Sequence, residues 1–119
     1  MSKILIVDDE PNIVMTLEYA FRKQGFEVFI ARDGSEALEI LNKAIPNVVL
    51  LDIMMPNVDG YETLKKIKQN KVLENTKVVF LTAKNKMSDV EKGLALGADK
   101  YLTKPFSVKK IVSEIAELL

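Results

Sequence analysis

Four short stretches of this chain carry side chains that could do chemistry. They are the acidic run Asp8, Asp9 and Glu10, then Asp52, then Thr82, and finally Lys104. The chain has no histidine and no cysteine. A serine–histidine triad, a thiol nucleophile, a disulfide frame and a zinc site of the usual kind are therefore all excluded. Whatever reaction occurs must run on carboxylates, lysines, hydroxyls and backbone.

Each of these stretches directly follows an apolar or mixed run. Asp8 follows Ile4–Val7, Asp52 follows Val48–Leu51, Thr82 follows Val78–Leu81, and Lys104 follows Lys100–Thr103. The first three runs are short, continuous and rich in branched side chains, as strands buried on both faces of a parallel sheet are. Phe26–Ile30, interrupted by Glu27, and the half-polar Lys100–Thr103 read as edge strands.

Amphipathic helices alternate with these strands. The first is predicted over about Pro11 to Gln24, with Ile13, Leu17, Ala20 and Phe21 on one face and Gly25 as its stop. The second follows Asp33, with Glu36 completing a capping box; it presents Ala37, Leu38, Leu41 and Ile45 and ends before Pro46. Asp59 with Glu62 opens a third helix that faces inward through Leu64 and Ile67. Ser88 with Glu91 opens a fourth that stops at Gly97. The last carries Val108, Ile111, Val112, Ile115 and Leu118 or Leu119 at helical spacing.

Five β-α units joined by right-handed crossovers predict a doubly wound, flavodoxin-like (βα)5 domain of the α/β class, with a five-stranded parallel sheet in the order 2-1-3-4-5. Residues 1–119 are expected to form one domain, with no linker or repeat. In such sheets ligands bind beyond the carboxyl ends of the strands, where the strand order reverses. That point brings Asp8, Asp9 and Asp52 together, with Thr82 and Lys104 on the other flank.

Clustered carboxylates repel one another and raise each other's pKa. A hard divalent cation relieves this, and Mg²⁺ suits a few carboxylates, waters and a phosphate oxygen. Lys104 would neutralise further charge on an incoming phosphoryl group, and Thr82 could donate a hydrogen bond to one of its oxygens. Phosphoryl transfer asks mainly for positioning and charge stabilisation, and a carboxylate can serve as nucleophile. Taken singly, each residue has a plainer reading. Asp9 or Glu10 could cap the helix that Pro11 begins, Asp59 and Gly60 read as a cap and a turn, Tyr101 as a half-buried edge aromatic, and Met54 and Met55 as packing residues.

The pieces Ile4-Leu-Ile-Val-Asp-Asp-Glu10, Leu51-Asp-Ile-Met-Met-Pro-Asn-Val-Asp-Gly60, Leu81-Thr-Ala83 and Gly97-Ala-Asp-Lys-Tyr-Leu-Thr-Lys-Pro-Phe106 stand in this order. With them the chain resembles, over nearly its whole length, the chemotaxis-regulator-like receiver domains of two-component response regulators. The resemblance implies that Asp52 is the phosphoacceptor, and that Asp8 or Asp9, Asp52 and the Met54 backbone carbonyl hold Mg²⁺, for which Mn²⁺ can substitute. Asp9 matches the more direct ligand of the pair. It further implies that Thr82 and Lys104 contact the phosphoryl group, that the Lys104–Pro105 peptide is cis, and that Tyr101 turns inward as Thr82 moves. The output surface would include Lys84 to Met87, Tyr101, Phe106 and the outer face of the last helix.

The phosphoryl donor is then a sensor histidine kinase or a histidine phosphotransfer protein, since this chain has no histidine of its own. A downstream protein or effector domain would read the switch, and a phosphorylation-dependent homodimer would use the same face. The domain would be a signalling switch, not an enzyme acting on other substrates. Met54 and Lys84, two residues after Asp52 and Thr82, offer no carboxylate or amide to orient a hydrolytic water, so slow loss of the phosphoryl group is expected. Seventeen basic and seventeen acidic residues point to no nucleic acid or membrane partner, and a cytoplasmic setting fits.

Three other readings fit less well. A haloacid-dehalogenase-type phosphatase would place a second Asp two residues after the first. An FMN carrier would need a Ser/Thr/Gly-rich loop where this chain is acidic. A phosphorylation-independent receiver scaffold would have no use for Asp8, Asp9, Asp52, Thr82 and Lys104 together.

Overall fold

The computed structural model describes residues 2–119. Its elements run β1 (Lys3–Val7), α1 (Pro11–Lys23), β2 (Glu27–Ala31), α2 (Gly34–Leu41), β3 (Val48–Leu51), α3 (Gly60–Gln69), β4 (Lys77–Thr82), α4 (Met87–Ala95), β5 (Lys100–Thr103) and α5 (Val108–Leu118). A 3-10 turn, Lys71–Leu73, precedes β4. The five strands form one parallel sheet in the order β2-β1-β3-β4-β5, as the alternation of elements predicts.

Both faces of the sheet are covered, which explains the unbroken apolar runs. Leu5, Val7, Val49, Leu51, Val78 and Phe80 face one way, against Ala37 and Leu41 of α2 and Tyr61, Leu64 and Ile67 of α3. Their neighbours Ile4, Ile6, Val48, Leu50, Val79 and Leu81 face the other way, against Leu17 and Phe21 of α1 and Ile111 and Ile115 of α5. Strand residues alternate between faces, so each run feeds two cores. Burying a branched or aromatic side chain here contributes about 1.5–3 kcal/mol each.

Helix ends follow local chemistry where the cap residue is free to act. Asp33 and Asp59 accept the backbone N–H groups of Glu36 and Glu62. The Glu36 carboxylate reaches back to Arg32 N–H and not to the cap residue itself, so the box is displaced by one residue. Gly25 and Gly97 close α1 and α4 with φ of 92° and 107°, and the following N–H groups return to Phe21 and Gly93 carbonyls.

Two expectations fail. Helix α2 stops at Leu41 and does not continue to Ile45, which is 54% exposed. Lys43 and Ala44 both donate to the Ile40 carbonyl in a last closing turn, and Pro46 disfavours helical backbone at Ile45. Helix α4 is not capped by Ser88. It begins at Met87 behind Lys86, whose carbonyl accepts the N–H groups of Asp89 and Val90, leaving Ser88 inside the first turn.

Candidate functional site

Register decides which polar residues meet. Val7 pairs with Leu51 across β1 and β3, so the next residues, Asp8 and Asp52, emerge side by side. The ladder extends past the strands: Asp52 N–H donates to the Val7 carbonyl at 3.0 Å and Asp8 N–H to the Ala31 carbonyl at 3.1 Å. On the other flank Thr82 pairs with Thr103, and Lys104 N–H donates to the Thr82 carbonyl at 2.8 Å. The Lys104–Pro105 peptide that follows is cis.

The two buried aspartates are held alike. One oxygen of each takes a backbone amide: Asp8 Oδ1 accepts Glu10 N–H at 2.9 Å, and Asp52 Oδ1 accepts Ile53 N–H at 2.7 Å. The other oxygen of each faces Lys104, whose Nζ lies 3.0 Å from Asp8 Oδ2 and 3.3 Å from Asp52 Oδ2. Glu10 Oε1 is a third partner of that ammonium, at 2.8 Å. Burial pushes the Asp8 carboxyl above the usual carboxylate range, and the Glu10 amide and Lys104 pull it back only in part. Burial also works against the Lys104 charge. Hydrogen bonds to Glu10 and Asp8 and the charges of Asp52 and Asp8 outweigh it and hold the ammonium above the ordinary lysine range.

Asp8, Asp9, Glu10 and Asp52 each bring a carboxylate oxygen within 4.8 Å of the others, a cluster able to hold a metal ion. All its donors are hard oxygens, two buried and two exposed toward solvent. One ammonium does not balance four carboxylates, so the cluster has unmet demand for positive charge.

The sequence profile described as response regulator receiver domain matches residues 4–116. The chain belongs to that family.

Among curated relatives, the receiver is 41% identical over 117 residues to the transcriptional regulatory protein TrcR of Mycobacterium tuberculosis, covering 98% of this chain and 45% of that one. It is equally identical, over the same length, to the alkaline phosphatase synthesis regulator PhoP of Bacillus subtilis, with 48% of that protein covered. The chain thus spans about half the length of these two regulators. Protein PilG of Pseudomonas aeruginosa is 40% identical over 113 residues, covering 95% of this chain and 84% of PilG. In structure, the chemotaxis response regulator CheY4 of Vibrio cholerae superposes with a TM-score of 0.94 at 31% identity, over 100% of this chain and 99% of that one. The phosphatase and flavin-carrier readings are thereby set aside, and the domain is a receiver of two-component signalling.

The other residues expected at the site make their hydrogen bonds outside the acidic cluster. Thr82 is fully buried, and its hydroxyl oxygen accepts Lys84 N–H at 3.3 Å. Tyr101 packs edge-on against Phe80, with ring centroids 5.7 Å apart, and its hydroxyl donates to the Lys84 carbonyl at 2.7 Å. Burial first, then the nearby Tyr61, Asp89 and Asp52, pushes the Tyr101 hydroxyl above its ordinary range, so it remains a donor. Thr82 and Tyr101 are therefore joined through the two sides of one residue, Lys84. The Met54 side chain is 61% exposed and lines an open groove with Met55, Tyr61, Lys84 and Lys92.

Two residues matter more than their sequence context suggests. Glu10 is no side-chain cap of α1; it is an ion-pair partner of Lys104. Gly60 is more than a turn residue, because a Cβ there would meet the Asp52 carbonyl oxygen at 2.3 Å and Ile53 Cα at 2.6 Å. Among the described residues, no helix is long and apolar enough to cross a membrane.

Proposed function

We propose that residues 1–119 form a single switch domain that accepts a phosphoryl group on Asp52 from a phosphohistidine of a sensor kinase or histidine phosphotransfer protein. The observation that carries this reading is Lys104 Nζ lying between Asp8 and Asp52, inside a cluster of four carboxylates. An Asp52 carboxylate oxygen attacks phosphorus, the donor's N–P bond breaks, and the leaving imidazole takes the electron pair and then a proton.

The hard-oxygen donor set fits Mg²⁺, with Mn²⁺ as a substitute, held by Asp8, Asp9, Asp52 and the Met54 carbonyl. When bound, the ion supplies charge neutralisation for the cluster and for the incoming phosphoryl oxygens. Lys104 already points at Asp52 and needs only to exchange carboxylate partners for a phosphoryl oxygen. Ile53 N–H fixes the orientation of the Asp52 carboxylate, which lowers the entropic cost of attack.

The switch runs through Lys84. Thr82, drawn to a phosphoryl oxygen, gives up the Lys84 N–H, and the Tyr101 hydroxyl bonded to the Lys84 carbonyl responds. Charge-assisted hydrogen bonds of about 1.5–3 kcal/mol each are enough to shift a two-state equilibrium at the α4-β5-α5 face. That face, including Lys84 to Met87, Tyr101 and Phe106, meets the downstream target or a second copy of the domain. The setting is cytoplasmic, and the domain turns over nothing but its own phosphoryl group.

The test is incubation with Mg²⁺ and acetyl phosphate. A mass gain of one phosphoryl group, removed by hydroxylamine and abolished in Asp52→Asn, is expected. No gain, or a gain that survives the substitution, would sink the assignment.

A further inference from the structure

The loop between β3 and α3 is closed at its base and fastened at its tip. At the base, Gly60 N–H and Met55 N–H both donate to the Ile53 carbonyl, at 3.0 and 3.1 Å. At the tip, Asn57 has φ of 65°, a left-handed conformation that turns its side chain toward α2, and its Nδ2 donates to Asp33 Oδ2 at 3.0 Å. Among the described residues this is the only hydrogen bond from residues 54–58 to another element. Asp33 uses its other oxygen, Oδ1, to cap α2 at the Glu36 N–H. Beside it the start of α2 is closely packed: a Cβ on Gly34 would meet the Val58 carbonyl of the loop and the Thr63 side-chain Oγ1 of α3, each at 2.3 Å.

We propose that Asn57 is a positioning residue, which through Asp33 fastens the β3–α3 loop, and with it the Met54 carbonyl, against the acidic site. The part concerning Met54 builds on the Mg²⁺-dependent reading given above; the fastening itself does not. Without that bond the tip is held only by the packing of Met55 and Val58, and a ligand on a looser loop must be ordered when the ion binds. Asn57 meets that ordering cost during folding. The capping aspartate thereby does two jobs with its two oxygens, joining the start of α2 to the loop that follows the phosphoacceptor.

Two single variants and their combination test this. Asn57→Gly keeps the left-handed backbone and removes the donor. Asp33→Ser keeps an α2 cap but removes the second oxygen and leaves the loop's own sequence untouched. In the metal-free protein, ¹⁵N order parameters of residues 54, 55, 57 and 58 should fall in both variants, from a rigid value of ~0.85 toward ~0.6. Calorimetric titration with Mg²⁺ alone should show affinity about 3- to 10-fold weaker in each. The double variant should be no weaker than the worse single one, because both remove the same bond.

Order parameters unchanged in Asp33→Ser would overturn the fastening, as would losses in the double variant that multiply. Looser loops with wild-type Mg²⁺ affinity would overturn its link to the metal. Failure of the wild-type domain to bind Mg²⁺ would count against the proposed function instead, and the order parameters would still decide the fastening.

Discussion

Gly60 lies so close to Asp52 that a Cβ on it would sit 2.3 Å from the Asp52 carbonyl oxygen. The same residue donates its N–H to the Ile53 carbonyl. The start of α3 is therefore packed directly against the backbone of the proposed phosphoacceptor, and no side chain fits between them.

Gly60→Ala should be destabilising although it stands in a helix. Alanine gains roughly 1 kcal/mol in helix propensity, but the clash is with backbone that cannot rotate away, and overpacking costs about 1–3 kcal/mol. A thermal melt should show a lower Tm, and acetyl phosphate should label Asp52 more slowly as its backbone shifts. A Tm at or above the wild-type value would contradict the close approach.

Lys104→Met should leave Asp8 and Asp52, 3% and 4% exposed, without their shared counter-charge. Breaking a buried pair on one side costs about 3–5 kcal/mol; access of solvent at the rim of the site brings the expected loss to about 2–4 kcal/mol at pH 7. The pH dependence has a definite sign. Asp8 already has a raised pKa in the fold, so the folded chain holds its proton more readily than the unfolded one. Stability from that group is fully present below the unfolded pKa and is lost as pH rises through the folded one. Without Lys104 that folded pKa climbs further, so the deficit should shrink as the pH falls. Chemical denaturation at several pH values measures this, and a deficit independent of pH would refute it.

Mg²⁺ should stabilise the domain and chelation should undo it. At about 100 times its dissociation constant a ligand adds about 2.7 kcal/mol, a rise of several degrees in Tm for a domain of this size. Asp9 is exposed, so Asp9→Asn should leave the metal-free Tm nearly unchanged while removing most of the rise. An equal rise in the variant would show that Asp9 holds no metal.

The phosphoryl group should be long-lived without a phosphatase. Met54 is exposed and apolar, and Lys84 Nζ lies 3.8 Å from Asp89 Oδ1, so neither offers an acceptor to a hydrolytic water. Met54→Asn and Lys84→Glu should each shorten the lifetime of the purified phosphoprotein several-fold, followed by release of inorganic phosphate. Rapid release from the wild-type protein, unaltered in both variants, would be the contrary result.

Much of this architecture is legible in local sequence. Val48–Leu51 and Lys100–Thr103 begin and end where their apolar or mixed composition indicates. Asp33, Asp59, Gly25 and Gly97 act at helix ends within a few residues of themselves. Because the strands are parallel, residues that follow them emerge at one edge, and so Asp8, Asp52 and Lys104 could be expected to meet. Local pattern also misled. Ser88 with Glu91 has the spacing of a capping box, yet the chain entering from β4 begins α4 earlier, at Met87. Ile45 continues the apolar period of α2, yet the helix closes in a last turn before Pro46.

What tertiary structure alone decided are contacts between residues with no periodic relation. Glu10 and Lys104 are 94 positions apart, Asn57 and Asp33 are 24 apart, and Gly60 touches Asp52 by backbone. Composition and spacing report which face of an element is apolar, because that pattern repeats every two or 3.6 residues. They do not report a separation of ångströms between two loops, which depends on strand register and on how closely helices pack. In this chain the sequence therefore determines that an acidic site with a lysine forms at the sheet edge. Only the fold decides that one lysine serves three carboxylates, and that one of them, Asp52, has a glycine at its back.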